Sequence, residues 1–200
     1  MKLYFAPGAC SLAPHIAVRE TGIACDIDKV DFATKKTASG QDFASVNPKG
    51  SVPALQLDDG QVMTEAAVLL QYIADQKPGA GLIPAAGSLQ RYRVQEWLNY
   101  LATEVHKLFG AMFGPMPDAA KAAIKETMIP AKLDYLNKAL EKNDTLTGAY
   151  SVADIYLFTI LGWTGFLQMD LAKWPALVKF RERVGARPAV QAALKAEGLA

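Results

Sequence analysis

The chain has 200 residues, 51% of them hydrophobic and 20% charged, and this composition is typical of a globular protein with one large or two small domains. Its formal net charge of +1 argues against binding to nucleic acid or a membrane surface through bulk charge, and no apolar run approaches the ~20 residues that span a bilayer. Two cysteines and two histidines predict neither a disulfide framework nor a metal site, so we expect a metal-free protein in the reducing cytoplasm.

The N-terminal part of the chain alternates short apolar runs with turn signals, which predicts a small α/β unit. In chain order, the predicted elements are a strand over 3–5, a helix from Ser11 to Thr21, a strand over 25–30, an irregular loop with a short helix over 31–46, a β-hairpin over 54–63, and a helix over 65–75 capped by Thr64.

A linker rich in Gly and Pro follows at 77–81, and beyond it no stretch predicts a strand. We therefore expect two domains, an α/β domain over 1–77 and an all-helical domain over 86–200. The predicted helices of the second domain cover 88–109, 118–140 with a kink or split at Pro130, a stretch after Ser151, 175–186 and 188–196.

The helix start at Ser151 is the most explicit one in the chain. A hydroxyl residue stands there, and Asp154 follows three residues later, which is the spacing of a capping box. The residues after it are nearly all apolar, so we expect a central, buried helix. We interpret Ser151 and Asp154 as folding determinants rather than catalytic groups.

Cys10 lies between a predicted strand and a predicted helix, just after the break at Pro7-Gly8. Helical N–H groups and the positive end of the helix dipole favour a thiolate at such a position, so we expect a lowered thiol pKa. The alternative is that Cys10 is a small buried hydrophobic residue. Cys25, at the entry of a strand, is interpreted as structural.

Two further stretches offer backbone groups to a ligand. Val52 precedes Pro53 and is therefore extended, so its main chain can pair with a peptide-like ligand. The N–H groups of Glu65 and Ala66 at a helix start suit a carboxylate, while the Glu65 side chain suits an ammonium group. Each feature also has a simpler explanation when it is considered alone. Pro53 can merely shape its loop, and Glu65 can merely complement the helix dipole.

A polar stripe marks the first long helix of the second domain. Asn99, Thr103 and His106 are spaced i, i+4, i+7, which predicts one shared face. This face either lines a cleft or is simply solvated. His106 can donate a hydrogen bond to a thiolate or move its proton, whereas His15 is interpreted as structural.

Together these stretches resemble the bacterial beta-class glutathione transferases over essentially the whole chain. The resemblance implies a thioredoxin-like N-terminal domain, an all-helical C-terminal domain, a homodimer and glutathione as co-substrate. It implies that Cys10 faces the glutathione sulfur and that Lys35 reaches the glycine carboxylate. It also implies that Val52 pairs with the cysteinyl backbone before a cis Pro53, while Glu65 and Ala66 bind the γ-glutamyl end. The residues that border the site, some of them across the dimer, would be Asn99, Thr103, Glu104, His106 and Lys107.

One departure from the family pattern is Ala66, where relatives often carry Ser or Gly, so any hydroxyl contact to the ligand is lost. The chain also has Ala13 where a C-x-x-C motif would have its second cysteine, which excludes an intramolecular disulfide cycle. The expected reaction is therefore transfer of the glutathione thiol to a hydrophobic electrophile, and dechlorination of aromatic compounds is one example of such a reaction.

Two alternatives stay open on the sequence. In one, Cys10 forms a mixed disulfide with glutathione and acts in thiol–disulfide exchange or peroxide reduction. In the other, the protein is a non-catalytic binding module of the same fold. The electrophile site would lie near Phe109, Phe113 and Trp163, unless these aromatic residues belong to the core.

Overall fold

The computed structural model describes residues 1–200 and divides the chain into two compact units. The first comprises Met1–Gly81 together with Arg187–Ala200, and the second comprises Leu82–Ala186. The predicted domains over 1–77 and 86–200 differ from these units at the C-terminus, because residues 187–200 group with the first unit. The linker at 77–81 marks the end of the first unit in the sequence, but no local pattern shows that residues 187–200 pack back onto that unit.

The first unit contains a five-stranded sheet with the strand order β3-β2-β1-β4-β5. Strand β1 pairs in parallel with β2 and antiparallel with β4, so the predicted βαβ and hairpin arrangement is confirmed. Only β3 was not predicted, since a two-residue strand carries no periodicity. The strands are β1 Lys2–Phe5, β2 Asp26–Asp31, β3 Lys36–Thr37, β4 Ala54–Gln56 and β5 Val62–Thr64.

Helix α1 (Leu12–Thr21) is the central helix of this unit. Every residue from Leu12 to Val18 is buried, because α1 packs against α3 (Ala66–Asp75) and also against α10 (Pro188–Glu197). A helix that is apolar on nearly all sides needs cover on more than one face. The C-terminal helix provides the second cover. The short helix α2 (Phe43–Val46) lies in the predicted irregular loop.

A buried carboxylate joins α10 to the loop after β1. Glu197 accepts hydrogen bonds from the Gly8 N–H at 2.9 Å and from Nδ1 of His15 at 2.8 Å, and the His15 and Glu197 side chains have no exposed surface. Nε2 of His15 accepts from Arg19 at 3.4 Å, so the ring proton lies on Nδ1. The interpretation of His15 as structural agrees with this position.

The second unit is all-helical, as predicted. It contains α4 (Leu89–Tyr100), α5 (His106–Met112), α6 (Asp118–Ala123), α7 (Ile129–Leu140), α8 (Val152–Phe166) and α9 (Pro175–Gly185). Single π-helical turns at Leu101–Val105 and Ile124–Met128 connect α4 to α5 and α6 to α7. None of the helices is long and apolar enough to cross a membrane.

The two π-turns bear on two predictions. The predicted helix over 88–109 has a wide turn inside it. The predicted split of the helix over 118–140 is confirmed, since α7 begins at Ile129 with Pro130 in its first turn. Because Pro130 has no N–H to donate to the preceding turn, a wider turn directly before it is accommodated easily. Sequence spacing shows no sign of such single turns.

The capping box at the start of α8 is confirmed. Asp154 Oδ2 accepts from the Ser151 N–H and hydroxyl, both at 2.9 Å, and its Oδ1 accepts from the Leu146 N–H at 2.9 Å. The Ser151 Oγ accepts in turn from the Ala153 N–H. Asp154 therefore caps its own helix and also holds the loop before it.

We expect Asp154→Ala to lower the free energy of unfolding by on the order of 3 kcal/mol, because it leaves two N–H groups, those of Leu146 and Ser151, without their acceptor. Ser151→Ala should cost about 1 kcal/mol, the usual value for a lost cap. Urea unfolding measures both. Folded Asp154→Ala protein should keep its turnover, and unchanged stability with lost turnover would contradict the structural role.

Candidate active site

Cys10 lies in the loop between β1 and α1, with its side chain partly buried. Its thiol donates to the Val52 carbonyl oxygen at 3.2 Å. The Ser11 hydroxyl bonds back to both the N–H and the carbonyl of Ala6, and the Ala9 N–H bonds to the same carbonyl. These contacts close the loop tightly and direct the Cys10 side chain towards the segment before β4.

The predicted lowering of the Cys10 pKa is wrong. Burial of the thiol raises the pKa of Cys10 to about 11, the nearby Glu65 charge adds to the rise, and the N–H groups of Cys10 and Ser11 oppose it only in part. A thiol that donates to a carbonyl is also stabilised in its protonated form. Helix α1 begins only at Leu12, and in the buried environment of Cys10 the desolvation of a thiolate outweighs the stabilisation that the helix start offers.

Val52 and Pro53 lie beside Cys10, and both are buried. The peptide bond between them is cis, as the family resemblance implied. The Asn47 side-chain amide donates to the Ser51 carbonyl at 2.7 Å and stabilises the turn that leads to Val52. The structure therefore brings the predicted backbone group at position 52 to the predicted thiol at position 10.

Glu65, and not Thr64, is the N-cap residue of α3. Its backbone has φ +72°, which is unfavourable for a residue with a Cβ atom and is found most often at functional sites. This conformation turns the Glu65 side chain away from the helix, which it does not cap. The N–H of Ala66, in the first turn, has no acceptor within the helix.

Lys49 contacts Glu65, a feature that the sequence did not predict. Its ammonium lies 2.7 Å from the Glu65 carboxylate and 2.9 Å from the Thr64 hydroxyl. Both partners of this ion pair are more than half exposed, so the pair contributes little to stability. The Glu65 carboxylate is thus able to bind an ammonium group at this place.

Lys35 lies apart from these residues within the first unit. It stands in the turn between β2 and β3 with φ +60° and an exposed side chain. Its carbonyl accepts from the Phe43 N–H at 2.9 Å. The structure shows no contact between Lys35 and Cys10, Val52 or Glu65.

In the second unit, His106 is the first residue of α5. Its Nδ1 lies 2.6 Å from the Tyr156 hydroxyl, and its ring packs against that of Trp163 at 4.9 Å between centroids. Tyr156 and Trp163 belong to α8 and are buried. The polar side of His106 is therefore oriented by the most buried helix of the unit.

The other predicted residues of this stretch are exposed. The Thr103 hydroxyl bonds to the Asn99 carbonyl at 3.0 Å, Glu104 pairs with Lys132 at 2.8 Å, and Lys107 faces solvent. The π-turn lies between Asn99 and His106, so the α-helical spacing that predicted a shared face with His106 does not hold here.

The three aromatic residues assigned to an electrophile site divide into two groups. Phe109 is fully buried and Trp163 nearly so, so both belong to the core. The Phe113 ring is 55% exposed and packs edge-on against Trp163 at 6.1 Å. Of these three residues, only Phe113 presents an aromatic surface for a ligand.

Two family models match most of the chain. The model described as glutathione S-transferase, N-terminal domain, matches residues 8–76, and that described as glutathione S-transferase, C-terminal domain, matches residues 103–197. The chain belongs to the glutathione S-transferase family. It is a glutathione transferase, with glutathione as its co-substrate.

The glutathione S-transferase GstA of Escherichia coli O157:H7 is 43% identical to this glutathione transferase over 201 residues, covering 100% of both chains. A solved sphingomonad glutathione S-transferase complexed with glutathione is 52% identical, with a TM-score of 0.96 and 100% coverage of both chains. The beta-class enzyme of Sphingomonas chungbukensis is 50% identical, with a TM-score of 0.97 and the same coverage. The resemblance to the bacterial beta class and the glutathione transferase fold are thus confirmed.

Because the pKa of Cys10 is about 11 in the folded enzyme, we expect its alkylation by iodoacetamide to be slow at neutral pH. Only the thiolate reacts, so the rate should rise about 10-fold per pH unit without a plateau until near that pKa. A Cys25→Ser variant restricts the reaction to Cys10, and mass spectrometry measures the rate. A plateau close to neutral pH would show a lowered pKa instead.

Proposed function

We propose that this glutathione transferase binds glutathione along the segment from Cys10 to Ala66 and transfers its thiol to hydrophobic electrophiles. The observation that carries the proposal is the 3.2 Å contact in which the Cys10 thiol donates to the Val52 carbonyl. Burial, which raises the pKa of this thiol, favours the same protonated form. A protonated thiol is a hydrogen-bond donor and a poor nucleophile. Cys10 therefore stabilises the thiolate of the ligand rather than reacting itself.

The contact between Cys10 and Val52 suggests how the ligand enters. The cysteinyl N–H of glutathione replaces the Cys10 thiol as the donor to the Val52 carbonyl, and the released S–H of Cys10 then donates to the glutathione sulfur. The glutathione thiol loses its proton to solvent or a base, its thiolate forms the carbon–sulfur bond, and the leaving group departs with its electron pair. The site increases the rate of the reaction by stabilising that thiolate.

The γ-glutamyl end of glutathione meets α3 in this proposal. Its carboxylate accepts from the Ala66 N–H at the helix start, and its ammonium binds the Glu65 carboxylate. Lys49 already places an ammonium on Glu65 in the free protein, which supports the assignment. Lys35 binds the glycine carboxylate.

The remaining residues of the proposed site come from the second unit. His106 donates a hydrogen bond to the thiolate, and Phe113 contacts the electrophile. Asn99, Thr103, Glu104 and Lys107 border the site, with some of them serving the site of a second subunit. Electrophiles to be tested include model aromatic compounds and chlorinated aromatics, in line with a role in cytoplasmic detoxification.

An aromatic cluster on α4 and α7, with one exposed and two half-buried rings, supports the homodimer. Tyr135, which is 54% exposed, packs against Trp97 at 5.8 Å and Tyr100 at 5.3 Å between ring centroids. Aromatic residues on a surface are typical of protein interfaces. Sedimentation of the purified enzyme measures the dimer directly.

Replacing Cys10 tests its role as donor. Cys10→Ala should lower kcat/KM for conjugation by about 10- to 100-fold, the effect of losing one hydrogen bond to a charged group. Cys10→Ser keeps a donor and should recover part of this loss. If both variants lose conjugation equally and completely, Cys10 is a covalent nucleophile, and thiol–disulfide exchange becomes the better description.

Replacing Glu65 tests the γ-glutamyl contact. Glu65→Gln removes the negative charge and should weaken glutathione binding by about 10-fold, because an ion pair becomes a hydrogen bond from the ammonium to a neutral amide oxygen. Calorimetric titration measures the Kd. Asp59→Asn, which removes another exposed charge in the β4–β5 hairpin, should leave it unchanged. Equal Kd values for both variants would place the ammonium elsewhere.

A further inference from the structure

Tyr156, in the second unit, makes a close side-chain contact with His106. It lies in α8 and is only 1% exposed. Its hydroxyl is 2.6 Å from Nδ1 of His106, and the two rings are nearly perpendicular, with 5.9 Å between centroids. At this distance, the phenol hydroxyl and the imidazole nitrogen form a hydrogen bond, in which one of them is the donor.

The direction of this hydrogen bond follows from the acidity of the two groups. A phenol, with a pKa near 10, is the better donor, and a neutral imidazole, with a conjugate-acid pKa near 6.5, is the better acceptor. The Tyr156 hydroxyl therefore donates to Nδ1 of neutral His106, and the ring proton lies on Nε2. When the imidazole is protonated, Nδ1–H donates to the hydroxyl oxygen and Nε2 still carries a proton.

Packing keeps the ring in this orientation. The Trp163 ring lies 4.9 Å from the His106 ring between centroids. Gly110 also lies next to the ring, since a Cβ atom there would stand in van der Waals contact, 3.6 Å from Cδ2 of His106 and 3.9 Å from Nε2. A flipped ring would bring a carbon to Tyr156 and lose the hydrogen bond.

We propose that Tyr156 is a positioning residue that keeps His106 in its Nε2–H tautomer, so that Nε2 is a hydrogen-bond donor in both charge states. The consequence for catalysis rests on the function proposed above, in which His106 donates to the glutathione thiolate. Without the Tyr156 hydroxyl, Nδ1 competes for the ring proton, and part of the population presents a lone pair at Nε2 where a donor is needed.

Long-range ¹H–¹⁵N NMR spectra of the ligand-free enzyme report the His106 tautomer directly. The wild type should show Nε2–H, and Tyr156→Phe should show a mixture of both tautomers. Thr159→Val is the matched control, since it removes an equally buried hydroxyl from the same helix, one that bonds only to the Ile155 carbonyl. It should leave the His106 spectrum unchanged.

Steady-state kinetics with glutathione and 1-chloro-2,4-dinitrobenzene test the consequence. Tyr156→Phe should lower kcat/KM by about 10-fold, change the KM for glutathione less than about twofold, and raise the pKa of bound glutathione seen in the pH profile. Thr159→Val should change none of these. In a His106→Asn background, Tyr156→Phe should have no further effect, because it acts through His106.

An Nδ1–H tautomer in the wild type overturns the proposal whether or not the Tyr156 variant folds. An unchanged tautomer in Tyr156→Phe, or an equal change in Thr159→Val, overturns it as well. If the tautomers behave as expected but the wild type neither binds nor turns over glutathione, the proposed function fails and the positioning of His106 stands. If turnover is present and only its dependence on Tyr156 is missing, His106 is not the donor.

Discussion

The buried carboxylate of Glu197 is the constraint on which the site of the first unit depends. It accepts hydrogen bonds from Gly8 and His15, and thereby joins the last helix of the chain to the loop that carries Cys10. A carboxylate without solvent must keep such partners, because losing one leaves a buried charge uncompensated. The loop is therefore tied to α10 as well as to α1. The thiol of Cys10, two residues after Gly8, lies beside Val52.

That position explains why Cys10 is a donor and not a thiolate. The thiol lies in partly buried surroundings, it donates to a carbonyl, and the charge of Glu65 acts on it. All three effects favour the protonated form. Helix dipoles lower the pKa of a thiol when it is exposed at the first turn, but here the cost of desolvation is larger. In the function proposed above, the site therefore activates the thiol of glutathione rather than that of Cys10.

The second unit shows how a folding determinant and a functional contact occupy one helix. The capping box of Ser151 and Asp154 begins α8, and Tyr156 follows two residues after Asp154. The hydroxyl of Tyr156 meets His106 at the end of the π-turn. A helix start that is held by three hydrogen bonds to Asp154 gives Tyr156 a defined position, and Tyr156 in turn defines that of His106.

Much of the fold is determined by local sequence patterns. The strand and helix order of the first unit, the hairpin at Asp58–Gly60, the helical second unit and the capping box all depend on residues close together in the chain, and their physical basis is periodicity, turn geometry and hydrogen bonds over a few residues. The candidate residues Cys10, Val52 and Glu65 could be chosen for the same reason.

Only the tertiary structure decided how these groups behave. The raised pKa of Cys10 depends on burial, and the ion pair of Lys49 with Glu65, the contact of His15 with Glu197 and that of His106 with Tyr156 join residues far apart in the chain. Sequence determines which chemical groups are available, whereas their protonation and orientation depend on desolvation and long-range contacts, which no local pattern contains.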